Sequence, residues 1–184
     1  MERSEALSIV DEFIQNVNLK RHMLAVEAAM RDYAARLGGD VELWGLTGLL
    51  HDFDWEIHPS LEQHPQAGAP ILRERGVPEE VIRSILSHAE HTGIARERPM
   101  DVALYACDEL TGLITAVTLV RPSKSLSDLK VKSVRKKWND HRFAAAVDRT
   151  EIERGAQELG VELWTHVGNV IQSMQRVSEA LGLA

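Results

Sequence analysis

The chain has 184 residues, of which 44% are hydrophobic and 27% are charged. This length suits one domain or two small ones, and the apolar content excludes long disordered, collagen-like and low-complexity architectures. The formal net charge of −7 argues against a protein that grips nucleic acid non-specifically, because an acidic surface repels the phosphate backbone.

The chain contains one cysteine, Cys107, and eight histidines. A single cysteine excludes an intrachain disulfide and a zinc site built on cysteines. The N-terminal residues lack the basic start and apolar run of a signal peptide, and no apolar stretch approaches the ~20 residues that span a bilayer. We therefore expect a cytoplasmic protein with no membrane partner.

Apolar residues recur every three or four positions along the first part of the chain, which is typical of amphipathic helices. This spacing predicts helices over 5–16, 19–37 and 41–53, followed by a loop over 54–63. Asp40 has the residue type of an N-cap for the third of these helices. That helix is apolar nearly all round, so we expect it in the middle of the fold.

The same periodicity continues in the second part of the chain. It predicts helices over 64–75, from Pro78 onward, from Pro99 to about Val117, and over 126–138, 149–159 and 161–181. No convincing strand pattern, internal repeat or linker is present. We therefore predict an all-α fold of about eight or nine helices, with one domain over residues 1–184.

The dipeptide His51-Asp52 ends the most apolar predicted helix. Burying an imidazole beside a carboxylate is costly unless both groups are paired or ligated, although such a pair taken alone is more often a cap or a core hydrogen bond. Further histidines and acids lie on, or begin, other apolar helices: His22, His64, His88 and Asp108. Imidazoles and carboxylates that converge from several helices are typical of a transition-metal site.

This order of residues resembles the HD superfamily of metal-dependent phosphohydrolases, whose signature is a histidine, a His-Asp pair and a distant aspartate on helices. The matching residues are His22, His51-Asp52 and Asp108, within a motif region of roughly 18–120. The stretch GLLHDFDWE is its most specific part. The segments DELTGLI and KVKSV are similar to those of small uncharacterised bacterial HD hydrolases, which implies a single HD-type helical bundle with a C-terminal helical extension over 121–184.

The resemblance implies a divalent-metal cofactor of one or two ions, drawn from Mn, Co, Ni, Mg, Zn and Fe. The first ion would be held by His22, His51, Asp52 and Asp108. A second ion would be held by His64 and His88, with Asp52 bridging the two. Such a pair activates water for attack on phosphorus and neutralises the phosphoryl oxygens.

The residues after the His-Asp pair depart from the common pattern, because Phe53-Asp54-Trp55 replaces the frequent basic continuation. Asp54 and Glu56 are predicted to orient water or to protonate the leaving group, with a solvated acidic loop as an equal alternative. Together with Asp52 they are the predicted catalytic residues. No ligand role is predicted for the other histidines: His58, His91, His141 and His166.

A basic segment lies between Arg121 and Arg142, where eight Lys or Arg and two Asp give a local charge of +6 and leave −13 for the rest of the chain. Two interpretations stay open: a solvated helix face, or a surface that binds the non-reacting part of an anionic substrate. The candidate substrate-binding residues are Lys130, Lys132, Arg135 and Lys136. Nucleic acid is a weaker third interpretation, because Trp138 is the lone aromatic residue of the segment.

The leading prediction is a metal-dependent phosphohydrolase, a phosphomonoesterase or phosphodiesterase, whose substrate is a small phosphorylated metabolite and in particular a nucleotide. One alternative is a di-iron oxygenase of the inositol-oxygenase kind, because ligand identity alone does not fix the metal. A non-catalytic HD interaction module ranks lower, since all six ligand positions carry competent side chains. Apolar residues of the first and last helices would either form a homodimer surface or close the domain: Leu7, Phe13, Leu163, Val170 and Met174.

Overall fold

The computed structural model describes residues 1–184 and contains ten α-helices and no strand, which confirms the predicted all-α fold class. The helices are α1 (Arg3–Phe13), α2 (Val17–Leu37), α3 (Val41–Leu50), α4 (Ala69–Glu74), α5 (Glu79–Ser87), α6 (Pro99–Leu119), α7 (Val131–Trp138), α8 (Arg149–Glu158), α9 (Leu163–Arg176) and α10 (Ser178–Leu181). A short 3-10 turn, Glu90–Thr92, follows α5.

Two helices begin five residues later than the periodicity predicts. The helix predicted over 64–75 begins at Ala69, and residues 51–68 form successive turns. Pro65 disfavours helical backbone at His64, which excludes a helix start at that residue, and the observed start places Pro70 in the first turn, where proline is favoured. The helix predicted over 126–138 begins at Val131, because the preceding residues are held in turns by an ion pair of 2.7 Å between Arg121 and Asp128.

The hydrophobic interior forms two clusters that meet along α2 and α3. One cluster lies mainly among α2, α6, α7, α8 and α9, and the other among α1, α3, α4 and α5. The central helices α2 and α3 approach closely at Gly48, where an added Cβ would lie 2.9 Å from backbone atoms of Val26 and Glu27. This contact brings the C-terminal end of α3 against the first half of α2.

A buried carboxylate fixes α5 to α6. Asp101 is fully buried and accepts hydrogen bonds from Ser84 at 2.5 Å, from Arg83 at 2.7 Å and from Arg98 at 2.7 Å. Burial alone would raise the pKa of Asp101, but the hydrogen bonds of Arg98 and Ser84 outweigh it and lower the pKa. The end of α5 is therefore held at a fixed position beside α6.

The apolar residues considered above for a dimer surface pack inside this domain. Val170 and Met174 are fully buried in the larger cluster, and Leu163 packs against it. Leu7 and Phe13 pack against the smaller cluster. The structure therefore uses these five side chains to close the domain.

Helix α6 corrects the expectation that no apolar stretch approaches the length that spans a bilayer. With 21 residues and a mean hydropathy of 1.4 over its most apolar window, it is long and apolar enough to cross a membrane by length and composition. Most of that window, 61%, is buried inside the protein, as expected for a core helix. Its apolar character is thus accounted for by packing within the bundle.

Candidate metal centre

Six histidine and aspartate side chains meet where α2, α3, α5 and α6 come together. His22 lies on α2, His51 and Asp52 directly follow α3, His64 lies in the turns over 51–68, His88 directly follows α5, and Asp108 lies within α6. They form two groups, each with ligand atoms within 4.8 Å of one another: His22, His51 and Asp108, and Asp52, His64 and His88. The structure therefore brings together all six residues that the sequence pattern singles out.

The first group has the spacing of a metal coordination shell. The Nε2 atom of His22 lies 3.0 Å from Asp108 Oδ1 and 3.3 Å from His51 Nε2. His51 Nε2 lies 3.4 Å from the same Asp108 oxygen. Ligand atoms placed about 2.1 Å from one cation lie about 3.0 to 3.4 Å apart in octahedral or tetrahedral geometry, so these three atoms can share an ion.

Asp52 joins the two groups because its two oxygens face different histidines. Its Oδ2 atom lies 3.4 Å from His51 Nε2 and 3.8 Å from His22 Nε2. Its Oδ1 atom lies 3.3 Å from His64 Nε2 and 3.8 Å from His88 Nε2. A carboxylate in this position can bridge two neighbouring cations.

Two of the histidines are oriented by the ends of their own helices. His51 Nδ1 lies 2.9 Å from the carbonyl oxygen of Gly48, and His88 Nδ1 donates in the same way to the carbonyl oxygen of Ile85. Both acceptors belong to the last turn of a helix, where carbonyl groups lack an intrahelical partner. The proton is thereby held on Nδ1, and the Nε2 lone pair faces the centre of the site.

The other two histidines are oriented by side chains. His22 Nδ1 lies 3.2 Å from Thr111 Oγ1, whose own hydrogen is donated to the Asp108 carbonyl oxygen. His64 Nδ1 lies 2.8 Å from Oδ1 of the fully buried Asp54. All four Nε2 lone pairs therefore converge, and an arrangement of lone pairs without a shared proton fits a cation between them.

The carboxylates give the site a strongly negative potential. Burial alone would lower the pKa of His51, but the charges of Asp52 and Asp108 outweigh it and raise the pKa well above its usual range. Burial also acts to lower the pKa of His64, whereas hydrogen bonds to Asp52 and Asp54 raise it to about 9. A potential that holds a proton so firmly also attracts a metal cation, which would replace that proton.

The six residues open onto a cavity of about 500 Å³. Its lining includes Glu90, Glu109 and Glu151 but no lysine or arginine, and its rim carries the partly exposed apolar side chains Trp55 and Leu61. Burial and the neighbouring Asp108 raise the pKa of Glu109 to about 7.

No sequence motif marks the three lining glutamates. Glu109 was recognisable only as the neighbour of Asp108. Glu90 and Glu151 carry no motif signal, and Glu151 reaches the cavity from α8 in the C-terminal extension.

The two acids predicted to assist catalysis occupy different places. Asp54 contacts His64 and lies behind the ligands, as described above. Glu56 accepts hydrogen bonds from the backbone N–H groups of Gln15 at 2.8 Å and Asn16 at 2.6 Å, and it does not line the cavity. The structure therefore places Glu56 at the connection between α1 and α2, away from the ligand cluster.

The candidate substrate-binding residues of the basic segment do not line the cavity either. These residues are Lys130, Lys132, Arg135 and Lys136, and all four are exposed. Helix α7 packs on α9 through Trp138, whose ring centre lies 5.2 Å from that of Trp164, and the Arg135 guanidinium lies 4.4 Å from the Trp164 ring centre. This placement favours the solvated-face interpretation of the basic helix.

The remaining histidines lie outside the ligand cluster. His91 is at the cavity rim, with Nε2 2.9 Å from the carbonyl oxygen of His64, whereas His141 is exposed and His58 is half-buried in the turns over 51–68. His166 is fully buried between Tyr33 and the Ala106 carbonyl oxygen. It is thus a core histidine.

Comparisons with known proteins agree with this geometry. A family model described as the HD domain matches residues 19–151, which is well over half of the chain and includes all six ligand residues. Ribonuclease Y from Desulfotalea psychrophila (strain LSv54 / DSM 12343) is 30% identical over 96 residues. That alignment covers 52% of this chain and only 18% of the relative. No solved structure gives a significant match.

Proposed function

The chain belongs to the HD-domain family, and on that premise we propose that it is a metal-dependent phosphohydrolase whose substrate is a small phosphate ester, in particular a nucleotide. The observation that carries the proposal is the position of Asp52, which presents one carboxylate oxygen to each of two histidine groups. Family membership supports the general chemistry. The choice of a nucleotide rests on the cavity and its apolar rim.

The residues divide between two cation positions. His22, His51, Asp108 and one oxygen of Asp52 would hold the first cation, and His64, His88 and the other oxygen of Asp52 would hold the second. Divalent cations held there would supply positive charge to the phosphoryl oxygens and make water a better nucleophile. The protein itself fixes the ligand directions, because each Nδ1 atom is held by its own acceptor.

The cavity supports a small substrate over a nucleic-acid chain. Its volume of about 500 Å³ lies within the range of about 300–1,000 Å³ for small-molecule sites. Asp52, Asp108 and Glu151 would repel the neighbouring phosphates of a polymer, whereas Glu90 is paired with Arg154, and no lysine or arginine belongs to the lining itself. We therefore do not propose cleavage of RNA, although the name of the relative refers to a ribonuclease.

The apolar rim supports a nucleotide among small phosphate esters. Trp55 is 36% exposed and Leu61 is 64% exposed, although both line the cavity that contains the ligand cluster. Exposed aromatic and aliphatic faces beside a polar site suit a ligand with one charged end and one planar apolar end. A nucleoside monophosphate has both.

The proposal is tested by phosphate release from purified protein that has been stripped with a chelator and reloaded with Mn²⁺, Co²⁺, Ni²⁺ or Mg²⁺. We expect cation-dependent release of phosphate, faster from nucleoside 5′-monophosphates than from glycerol 3-phosphate. Asp52→Ala should abolish it, whereas the control Asp128→Asn, on the surface and paired with Arg121, should retain it.

Two outcomes would overturn the proposal. The first is no cation-dependent hydrolysis of any phosphate ester by folded, metal-loaded protein. The second is oxygen consumption by a two-iron form without phosphate release, which would favour the oxygenase alternative.

A further inference from the structure

A second cavity lies on the other side of His22 from the ligand cluster. Its volume is about 320 Å³, and it is bounded by the start of α2, the second half of α6 and the C-terminal residues. His22 and Gly112 line both this cavity and the one that contains the ligand cluster. The two cavities are therefore neighbours that share a wall.

Gly112 is the residue of that shared wall that has no side chain. It lies in the interior of α6, where glycine weakens a helix relative to alanine because it has more freedom to lose on folding. Packing does not require glycine here, because an added Cβ would meet nothing closer than a Val147 methyl at 3.8 Å. The absence of a side chain at 112 instead leaves open the space between the cavities.

Arg21 is the positively charged arginine in the lining of the second cavity. It is exposed, and no carboxylate or other acceptor pairs with it, whereas Arg31, Arg75 and Arg98 each pair with at least one acid. Its guanidinium lies against Gly182, where a Cβ would collide with it. The side chain is thus positioned by the C-terminal turn and has its donors free.

We propose that the second cavity is a subsite for a second anionic group of the substrate, a phosphate or a carboxylate, with Arg21 as its binding residue. The proposal rests on the proposed phosphohydrolase function. The reacting phosphoryl group lies at the ligand cluster, the body of the substrate passes over Gly112, and the second anion meets the guanidinium of Arg21.

Charge distribution favours this arrangement over one in which both anions share the first cavity. The first cavity already holds the side chains of Glu109 and Glu151 beside the two ligand aspartates, and it also holds Glu90, which is paired with Arg154. A second substrate anion placed there would face carboxylates. The second cavity is lined by no acidic residue, and apart from Arg21 and His22 its polar side chains are the neutral Asn18 and Thr115.

The test compares two matched pairs of substrates. Adenosine 3′,5′-bisphosphate differs from adenosine 5′-monophosphate by a phosphate, and 3-phosphoglycerate differs from glycerol 3-phosphate by a carboxylate. We expect Arg21→Ala to lower the ratio of kcat/KM within the pair about 10- to 100-fold, the size of one lost charge-assisted contact. The pair that responds identifies the second anion as phosphate or carboxylate.

A matched control is Arg36→Ala, because Arg36 is another exposed and unpaired arginine, about 22 Å further along α2. This variant should keep both ratios of the wild type. Gly112→Ala should raise the melting temperature, because alanine favours the helix, and should lower the same ratio that Arg21→Ala lowers. A merely structural role of Gly112 would not move the ratio.

Binding of adenosine 3′,5′-bisphosphate and of 3-phosphoglycerate, followed by isothermal titration calorimetry, separates this proposal from the proposed function. If a ligand binds and Arg21→Ala weakens its binding at least tenfold, the subsite stands even where no hydrolysis is found. If hydrolysis is found but neither ratio changes in Arg21→Ala, the subsite is overturned and the phosphohydrolase stands.

Discussion

Asp54 and His64 form a buried pair in which a carboxylate directs an imidazole into the ligand cluster. Asp54 Oδ1 lies 2.8 Å from His64 Nδ1, and the opposite side of the ring places Nε2 at 3.3 Å from Asp52. Gly68 makes room for the carboxylate, since an added Cβ would lie 2.6 Å from it. Asp54 is therefore a positioning residue for the second cation position.

The first prediction concerns Asp54→Asn. The amide can present its NH₂ group to His64 Nδ1 and so favour the wrong tautomer, which removes the Nε2 lone pair from the site. We expect the affinity for one of two cations to fall about 10- to 100-fold, measured by competition with a chromophoric chelator. Equal affinity in Asp54→Asn and wild type would contradict the positioning role.

Thr111 has the corresponding role at the first cation position. Thr111→Val keeps the shape of the side chain but removes the acceptor of His22 Nδ1. We expect the affinity for the other cation to fall about tenfold, in the same chelator titration. The double variant with Asp54→Asn should lose affinity at both positions, and a loss confined to one position would refute the assignment of two separate orienting partners.

Glu56 should matter for stability and not for metal binding. Glu56→Ala removes two charge-assisted hydrogen bonds to the backbone N–H groups of Gln15 and Asn16 at the start of α2. We expect the free energy of unfolding in urea to fall by about 1 to 2 kcal/mol, with metal affinity unchanged. A normal stability with a loss of phosphate release would instead support the catalytic role predicted from the sequence.

His166 should make folding sensitive to acid. Burial lowers its pKa from about 6.5 to about 4, although its hydrogen bond to the Ala106 carbonyl oxygen acts to raise it. Between those pH values the unfolded chain binds a proton that the folded protein excludes. The stability linked to this group is thus full above about pH 6.5 and is lost, by about 3 kcal/mol, as pH falls to about 4.

The variant His166→Asn has no titratable group at this position, so it isolates that contribution. The excess stability of the wild type over this variant should shrink by about 3 kcal/mol between pH 7 and pH 4, measured by urea unfolding at each pH. A difference that does not change with pH would show that folding does not lower the pKa of His166.

The fold class and the six ligand candidates were accessible from sequence, because they depend on local periodicity, on histidines and acids placed on or beside apolar helices, and on the resemblance to the HD pattern. His51 and His88 illustrate this, since each follows the last turn of its helix and uses a carbonyl of that turn. The late starts of α4 and α7 were not accessible. The start of α7 depends on the ion pair of Arg121 with Asp128, and the start of α4 depends on the turns over 51–68 that carry His51, Asp52 and His64.

The residues that line the cavity could not all be predicted from the sequence. Glu151 enters it from α8, far along the chain from the motif, and no periodicity marks that contact. The basic helix shows the opposite case. Its charge is evident in the sequence, but its direction is decided by the packing of Trp138 on Trp164, which turns it onto α9. The positive charge of the basic helix therefore did not indicate where the substrate binds.

The central claim is a two-cation centre bridged by Asp52, and anomalous diffraction from crystals grown with Mn²⁺ tests it most directly. We predict two Mn²⁺ peaks about 3.5–4 Å apart, one among His22, His51 and Asp108 and one between His64 and His88, with Asp52 between them. The absence of any peak at these residues in Mn²⁺-saturated crystals, or one ion that does not contact Asp52, would contradict the claim.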